Sequence, residues 1–416
     1  MRGYELVESA SPWLGAVPSH WRVSRFGYEA SVNGGQVDPR DEPWASTVLV
    51  APNHIERDTG RILGRETASE QGADSGKYVA RAGQILYSKI RPALNKVTIA
   101  VEDCLCSADM YAVSFRLPVV PRYALYYMLA RPFNSFASVT SLRVKMPKVN
   151  REELASAPWL VPPSDEQRAI ADYLDRETAR IDMLIEEQQR LVELLRERRQ
   201  ALIDMAFSTL AGPHVQLRRF TQFLTSGSRG WGDYYADQGE RFVRIGNLPR
   251  GNLDLRGDVQ FVDLPADVTE GSRTMLEAGD LLFSITAYLG SVAVVGGDWV
   301  GAYVSQHVAL CRLESQNVDP RFIGWFMLTT NGQDQLNEGA AGGAKMQLAL
   351  DDIRGLRVPL APIDDQRSIA SSLDERTAKI DVLIAESERF IELARERRSA
   401  LITEAVTGQV DVRKAA

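Results

Sequence analysis

The side chains in this sequence with chemistry to offer are basic and clustered. Between Lys77 and Val101 stand Lys77, Arg81, Lys89, Arg91 and Lys96, with no acid among them. Arg143, Lys145 and Lys148 form a second basic group. Lysine and arginine at this density neutralise phosphates; an arginine reaching a guanine edge is the commonest specific contact, and Arg91 sits just after an expected strand. Later in the chain the candidates change type. Ser226, Ser228, Arg229, Trp231, Arg244, Asn247, Lys345 and Gln347 offer hydroxyl, amide, guanidinium and ring chemistry suited to base edges and phosphates. Gly227, Gly230, Gly342 and Gly343 lie among them and would let backbone approach a phosphate closely. The formal net charge of −7 does not oppose this reading, because it averages over a local basic face and acid-rich helices.

Catalytic patterns are wanting. Gly72-Ala-Asp-Ser-Gly-Lys77-Tyr78 has too short a gap between its glycines for a phosphate loop, and Tyr78 stands where Ser or Thr is needed. Asn247-Leu-Pro-Arg250 keeps only the Asn and one Pro of an adenine-methylating motif. Cys104, Cys106 and Cys311, with His20, His54, His214 and His307, have no metal-ligand spacing, so no metal, cofactor or disulfide framework is expected. No apolar run is long enough to span a membrane, and Met1 to Ser11 has no signal-like apolar core; a cytoplasmic protein is expected.

The elements that must position these residues announce themselves by repetition. Asp165-Glu-Gln-Arg-Ala-Ile-Ala-Asp-Tyr-Leu-Asp175 returns as Asp364-Asp-Gln-Arg-Ser-Ile-Ala-Ser-Ser-Leu-Asp374. Glu193-Leu-Leu-Arg-Glu-Arg-Arg-Gln-Ala-Leu-Ile203 returns as Glu392-Leu-Ala-Arg-Glu-Arg-Arg-Ser-Ala-Leu-Ile402. Each copy follows prolines, opens with acids in its first turn and then runs free of Gly and Pro, which predicts a long helix. Leu174, Ile181, Ile185, Val192, Leu195 and Leu202 recur at heptad-like steps, as do Leu373, Ile380, Ile384, Ile391 and Leu401. A helix of about 33 residues is roughly 50 Å long and needs a partner for that stripe. The other copy is the natural one, so an antiparallel intramolecular coiled coil is expected, with Gly212-Pro213 ending the first helix and Gly408 the second.

The segments between the helices share a frame. Gly83-Gln-Ile-Leu-Tyr-Ser88 parallels Gly279-Asp-Leu-Leu-Phe-Ser284, each a turn followed by a buried strand. Their loops differ. The expected fold class is α/β, more strictly α+β. Two globular domains (1–158 and 213–357) are separated by helical regions (159–212 and 358–416) in a pseudo-two-fold repeat.

Taken together, Pro162-Pro-Ser-Asp-Glu-Gln-Arg-Ala-Ile-Ala-Asp-Tyr-Leu-Asp175, Thr178-Ala-Arg-Ile-Asp182, Arg196-Glu-Arg-Arg-Gln-Ala-Leu-Ile203, their second copies and the Trp13 to Val23 lead-in resemble the specificity subunit of type I restriction–modification systems. The resemblance covers essentially the whole chain. It implies two target-recognition domains, each reading half of a bipartite DNA site, and no catalysis in this chain. It also implies two methyltransferase subunits using S-adenosylmethionine to methylate adenine, and motor-nuclease subunits using ATP and magnesium. A scaffold that never touches DNA, and a fused enzyme, are the rival readings. The first predicts no DNA footprint, and the second predicts binding of S-adenosylmethionine by the chain alone.

Overall fold

The structure, a computed structural model, describes residues 4–32, 34–116, 118–141, 147–210, 212–265, 271–314, 316–340 and 347–414. The chain forms two compact units, Met1–Gln189 with Arg389–Ala416, and Arg190–Glu388. These units do not stop at 158 or 357, because each completes its core with half of both long helices.

In the first unit, β1 (Arg22–Arg25), β2 (Ala30–Val32), β3 (Ile85–Ser88), β4 (Val97–Ile99) and β5 (Met110–Phe115) precede three short helices, α1 (Pro121–Leu129), α2 (Arg131–Ser141) and α3 (Arg151–Ala155). Strand β6 (Pro158–Val161) then pairs with β1 and leads into α4 (Ser164–Ser208). The main sheet has the order β2-β5-β3-β4, all antiparallel. All four residues of β3 are buried, as a strand covered on both faces requires. Gly83 turns the chain into it at φ 85°, in the left-handed region where a Cβ is unfavourable. Trp159 fills the core among Phe26, Phe115, Tyr127 and Phe133.

The second unit repeats the plan. Strands β7 (His214–Gln216), β8 (Thr221–Ser226), β9 (Leu281–Ser284), β10 (Val292–Val294) and β11 (Val308–Leu313) are followed by α5 (Pro320–Met327), α6 (Thr330–Ala340) and α7 (Leu350–Gly355). Strand β12 (Arg357–Pro359) pairs with β7 and leads into α8 (Ile363–Val406). The sheet order is β8-β11-β9-β10, and Gly279 again enters the central hairpin at φ 85°. Each unit adds a second four-stranded sheet, of strands 36–37, 77–80, 104–106 and 49–50 in one and 235–236, 260–262, 240–243 and 303–304 in the other.

The long helices have 45 and 44 residues, longer than the roughly 33 expected, because helix begins at the proline stop and runs unbroken past the repeat. At 1.5 Å per residue each is roughly 65 Å long. The first ends at Ser208, before Gly212; the second ends at Val406, and Gly408 follows at φ 73° as a left-handed cap. Within the first unit Ile181 and Ile185 of α4 pack on Ile391 of α8, and Arg398 forks onto Asp182 at 2.9 and 3.3 Å. Within the second unit Arg199 forks onto Asp381 at 2.7 and 3.2 Å. These two bridges join equivalent positions of the two copies. Of the expected seam, Leu202, Ile384 and Leu401 are only half-buried. Neighbouring Ile203 and Ile402 take the enclosed positions and join the unit cores instead.

The repeated motif is a set of staples between helix and domain. Gln167, fully buried, donates to Pro162 O (2.8 Å) and accepts from Val120 N (2.7 Å), capping α1. Gln366 does the same with Ala361 O (2.8 Å) and Asp319 N (2.9 Å) at α5. Asp175 accepts from Tyr126 and pairs with Arg122; its counterpart Asp374 accepts from Trp325 and pairs with Arg321. The frame that carries the loops is thereby fixed twice by the same chemistry.

Candidate nucleic-acid interface

In the first unit the end of β3 and the start of β5 meet at one edge of the sheet, where Lys89 N donates to Asp109 O at 3.0 Å. Two further backbone bonds bring the 147–150 segment to the same edge, Val149 N to Lys89 O (2.9 Å) and Arg91 N to Pro147 O (2.8 Å). Lys89, Lys148 and Arg151 gather there around Tyr111, in a concavity shared with Tyr78 and Asn150. The Lys89 ammonium lies 5.2 Å from the Tyr111 ring centre and the Arg151 guanidinium 5.8 Å. Burial holds the Lys89 ammonium below the usual lysine range, and repulsion from Lys148 and Arg151 adds to this against the pull of Asp109. A cation in such surroundings gains from an incoming anion. Arg91 occupies the hairpin tip at φ 47°, its side chain exposed.

Arg151 escaped the sequence reading, although it stands three residues after Lys148; the Asn150 cap that starts α3 there was its signal. Lys96 stands apart from this cluster. Its ammonium donates to Pro52 O at 2.6 Å, which ties the half-buried side chain back onto the fold. Arg143 and Lys145 lie outside the described residues.

The equivalent edge of the second unit repeats the first two of these bonds and adds one to β8. Ile285 N donates to His307 O (3.1 Å), Leu348 N to Ile285 O (3.0 Å) and Gly227 N to Val308 O (3.1 Å). The ends of β8 and β9 and the start of β11 therefore meet, placing Ser226, Thr286, Gln306, His307 and Gln347 near one another. His307 is hydrogen-bonded through Nδ1 to Thr286 Oγ1 (3.1 Å) and through Nε2 to Gln306 Nε2 (3.2 Å). Arg229 and Gln347 are exposed, and Arg244 is half-buried.

Three candidates here are corrected. Trp231 is buried, stacked on Phe242 and edge-on to Tyr303, so it is core and not a platform for a base. Asn247 spends its whole amide inside the protein: Oδ1 accepts from Arg244 N (2.9 Å), and Nδ2 donates to Arg256 O and Asp258 O (both 3.0 Å). Ser228 is buried against Thr274, hydroxyl to hydroxyl at 3.0 Å. Gly227 is a packing glycine, since a Cβ there would sit 2.0 Å from Val304 O. Lys345, Gly342 and Gly343 lie outside the described residues. The residues missed by sequence reasoning, Thr286, Gln306 and His307, carry no local pattern and are assembled only by the strand pairing.

Among the described residues no group of three or more His, Cys, Asp or Glu could hold a metal. The three cysteines are buried, and burial pushes the thiols up, Cys104 to about 11 and Cys106 and Cys311 to about 12, which removes them as nucleophiles. Among the described residues no helix is long and apolar enough to cross a membrane.

Comparison with known proteins agrees with this geometry. Residues 268–389 match the family described as the type I restriction modification DNA specificity domain. The specificity subunit of the type I restriction enzyme EcoDI from Escherichia coli is 34% identical over 194 residues, 47% of this chain and 43% of that relative. The alignment thus spans less than half of that relative's own length. A putative specificity subunit of the enzyme MjaX from Methanocaldococcus jannaschii is 21% identical, with 82% of this chain and 81% of the relative aligned. Among solved structures, a chain from a type I R-M system studied for complex assembly and conformational transition superposes with TM-score 0.75 at 16% identity, over 95% of this chain and 99% of that one. The HsdS subunit from Thermoanaerobacter tengcongensis does so with TM-score 0.52 at 16% identity, over 95% and 98%.

Proposed function

We propose that this chain is a type I restriction–modification DNA-specificity subunit that reads a bipartite DNA site and has no catalytic centre of its own. The observation that carries this is the repeated edge. Two equivalent backbone bonds, Lys89 N to Asp109 O with Val149 N to Lys89 O and Ile285 N to His307 O with Leu348 N to Ile285 O, and the same staples present in each unit a polar or basic surface whose side chains differ between the copies. A shared frame with different tips is what two readers of different half-sites need. In the first unit Lys89, Arg91, Lys148 and Arg151 meet DNA; in the second, Ser226, Arg229, Arg244, Thr286, Gln306, His307 and Gln347 do.

The long helices set the distance between half-sites and carry the partners. In the first unit Met183 and Leu184 of α4 and Phe390 and Leu393 of α8 are exposed. In the second unit the equivalent Val382, Leu383, Leu191 and Leu194 are exposed too. Large apolar side chains repeated outside a core mark an interaction surface. Two equivalent sets fit two copies of one partner, the methyltransferase subunit, which supplies S-adenosylmethionine chemistry on adenine. Motor-nuclease subunits with ATP and magnesium complete the assembly, in the cytoplasm where its DNA lies.

Methylated adenine mapped across the source genome, with and without this gene, tests the reading. Loss of one bipartite motif on deletion is the expected result. An unchanged methylome in cells that express the partner methyltransferase overturns it in favour of a scaffold.

A further inference from the structure

The central hairpin of each unit ends in a tip held in an unfavourable backbone conformation. In the first unit the tip residue is Arg91 at φ 47°; in the second it is Tyr288 at φ 56°. Neither is glycine, and a non-glycine residue in the left-handed region persists only where its surroundings impose it. The surroundings of Tyr288 do so. Its carbonyl accepts from Ser284 Oγ (2.6 Å) and Ser291 N (3.2 Å), and Gln333 of α6 donates to Gly290 O at 3.0 Å. So fixed, the Tyr288 side chain is 55% exposed rather than buried. Packing does not need the ring there.

A second segment comes to meet it. The exposed Arg250 places its guanidinium 4.3 Å from the centre of the Tyr288 ring. Among the described residues no carboxylate lies within ion-pair distance of Arg250, so its donors are uncommitted. Seated on the ring at 4.3 Å, the guanidinium is held at the exposed hairpin tip while its planar fork of N–H donors makes no bond to a described residue. A planar fork of this kind matches O6 and N7 of guanine, a match that lysine cannot reproduce.

We propose that Arg250, seated on Tyr288, reads a guanine of the second half-site. Tyr288 is a positioning residue and Arg250 the base contact. This rests on the specificity-subunit reading above. It also explains why the two tips differ: the first unit offers its arginine from the tip itself, and the second borrows one from a neighbouring segment.

The test uses the complete complex with its methyltransferase subunits, maps the methylated motif for Arg250→Lys, Tyr288→Phe and Tyr288→Ala, and measures DNA affinity against salt concentration for Arg250→Ala. Arg250→Lys keeps the charge and loses the fork. It should relax one G·C position in one half of the motif, lowering discrimination there roughly tenfold to a hundredfold, and leave the other half unchanged. Tyr288→Ala should relax the same position, and Tyr288→Phe should leave the motif intact. An unaltered motif with Arg250→Lys overturns the proposal. So does a uniform loss of affinity across sequences with Arg250→Ala, accompanied by a shallower salt dependence, because that is the mark of a phosphate contact. A wild-type complex that methylates no bipartite motif would overturn the parent reading and this proposal with it, which separates the two failures.

Discussion

Replacing Arg398 by alanine should open the first unit far more than the equivalent Arg199→Ala opens the second. The two arginines hold the same place in the repeat and bridge equivalent aspartates, but their surroundings differ. The side chain of Arg398 is 8% exposed, and besides Asp182 it donates to Asp58 O (2.9 Å) and Thr59 O (3.4 Å). Arg199 is 10% exposed and has Asp381 plus the face of Trp325, 5.7 Å away. Each ion pair has a partly exposed aspartate, 37% for Asp182 and 40% for Asp381, so solvent limits it to about 1 kcal/mol. The two carbonyls left without their charged donor by Arg398→Ala add about 1 kcal/mol each. The total is about 3 kcal/mol for Arg398→Ala against about 1–2 kcal/mol for Arg199→Ala, whose remaining loss is the cation–π contact. Hydrogen–deuterium exchange in low urea, read on peptides of each unit, measures this. Opening of the first unit should rise by roughly a hundredfold with Arg398→Ala, and opening of the second by about tenfold with Arg199→Ala. Asp182→Asn, which keeps both carbonyl bonds, should cost no more than about 1 kcal/mol. Equal losses for the two arginines, or an Asp182→Asn loss as large as that of Arg398→Ala, would refute the assignment of the difference to the carbonyls.

Three further outcomes are expected. Leu184→Glu with Leu393→Glu, both on the exposed apolar set of the first unit, should leave the thermal midpoint of the isolated chain unchanged and reduce bound methyltransferase subunits from two to one by native mass spectrometry; unaltered stoichiometry removes that docking surface. Trp231→Ala should destabilise the second unit by about 3–5 kcal/mol, as loss of a buried aromatic does, whereas Trp231→Phe should keep DNA recognition; a change of sequence preference with Trp231→Phe would return the ring to the interface. The buried thiols favour the neutral form, so their contribution to stability is full below the unfolded cysteine range and is lost as pH rises from there towards about 12, the value to which Cys106 and Cys311 are pushed. Native protein at pH 8 should accordingly react with a disulfide reagent orders of magnitude more slowly than protein in urea, and rapid native labelling would contradict the burial.

What the sequence makes legible is whatever repeats or alternates. The helices, their pairing and the matching hairpins are visible because Gln167 and Gln366, Asp175 and Asp374, or Gly83 and Gly279 each do one job twice, and a job done twice leaves a pattern. The interface is legible only where residue type suffices. Lys89 and Lys148 stand out as cations, but so does Lys96, and only its bond to Pro52 O separates it from them. Asn247 has the right chemistry for adenine and the wrong neighbours, since its amide closes a turn upon itself. Conversely, Tyr288 and Arg250 are 38 positions apart in number and adjacent in space, and Thr286 meets His307 only because β9 pairs with β11. The frame repeats because both copies must grip the same pair of helices. The tips cannot repeat if they are to read different sequences, so the residues that set specificity are those that periodicity is least able to find.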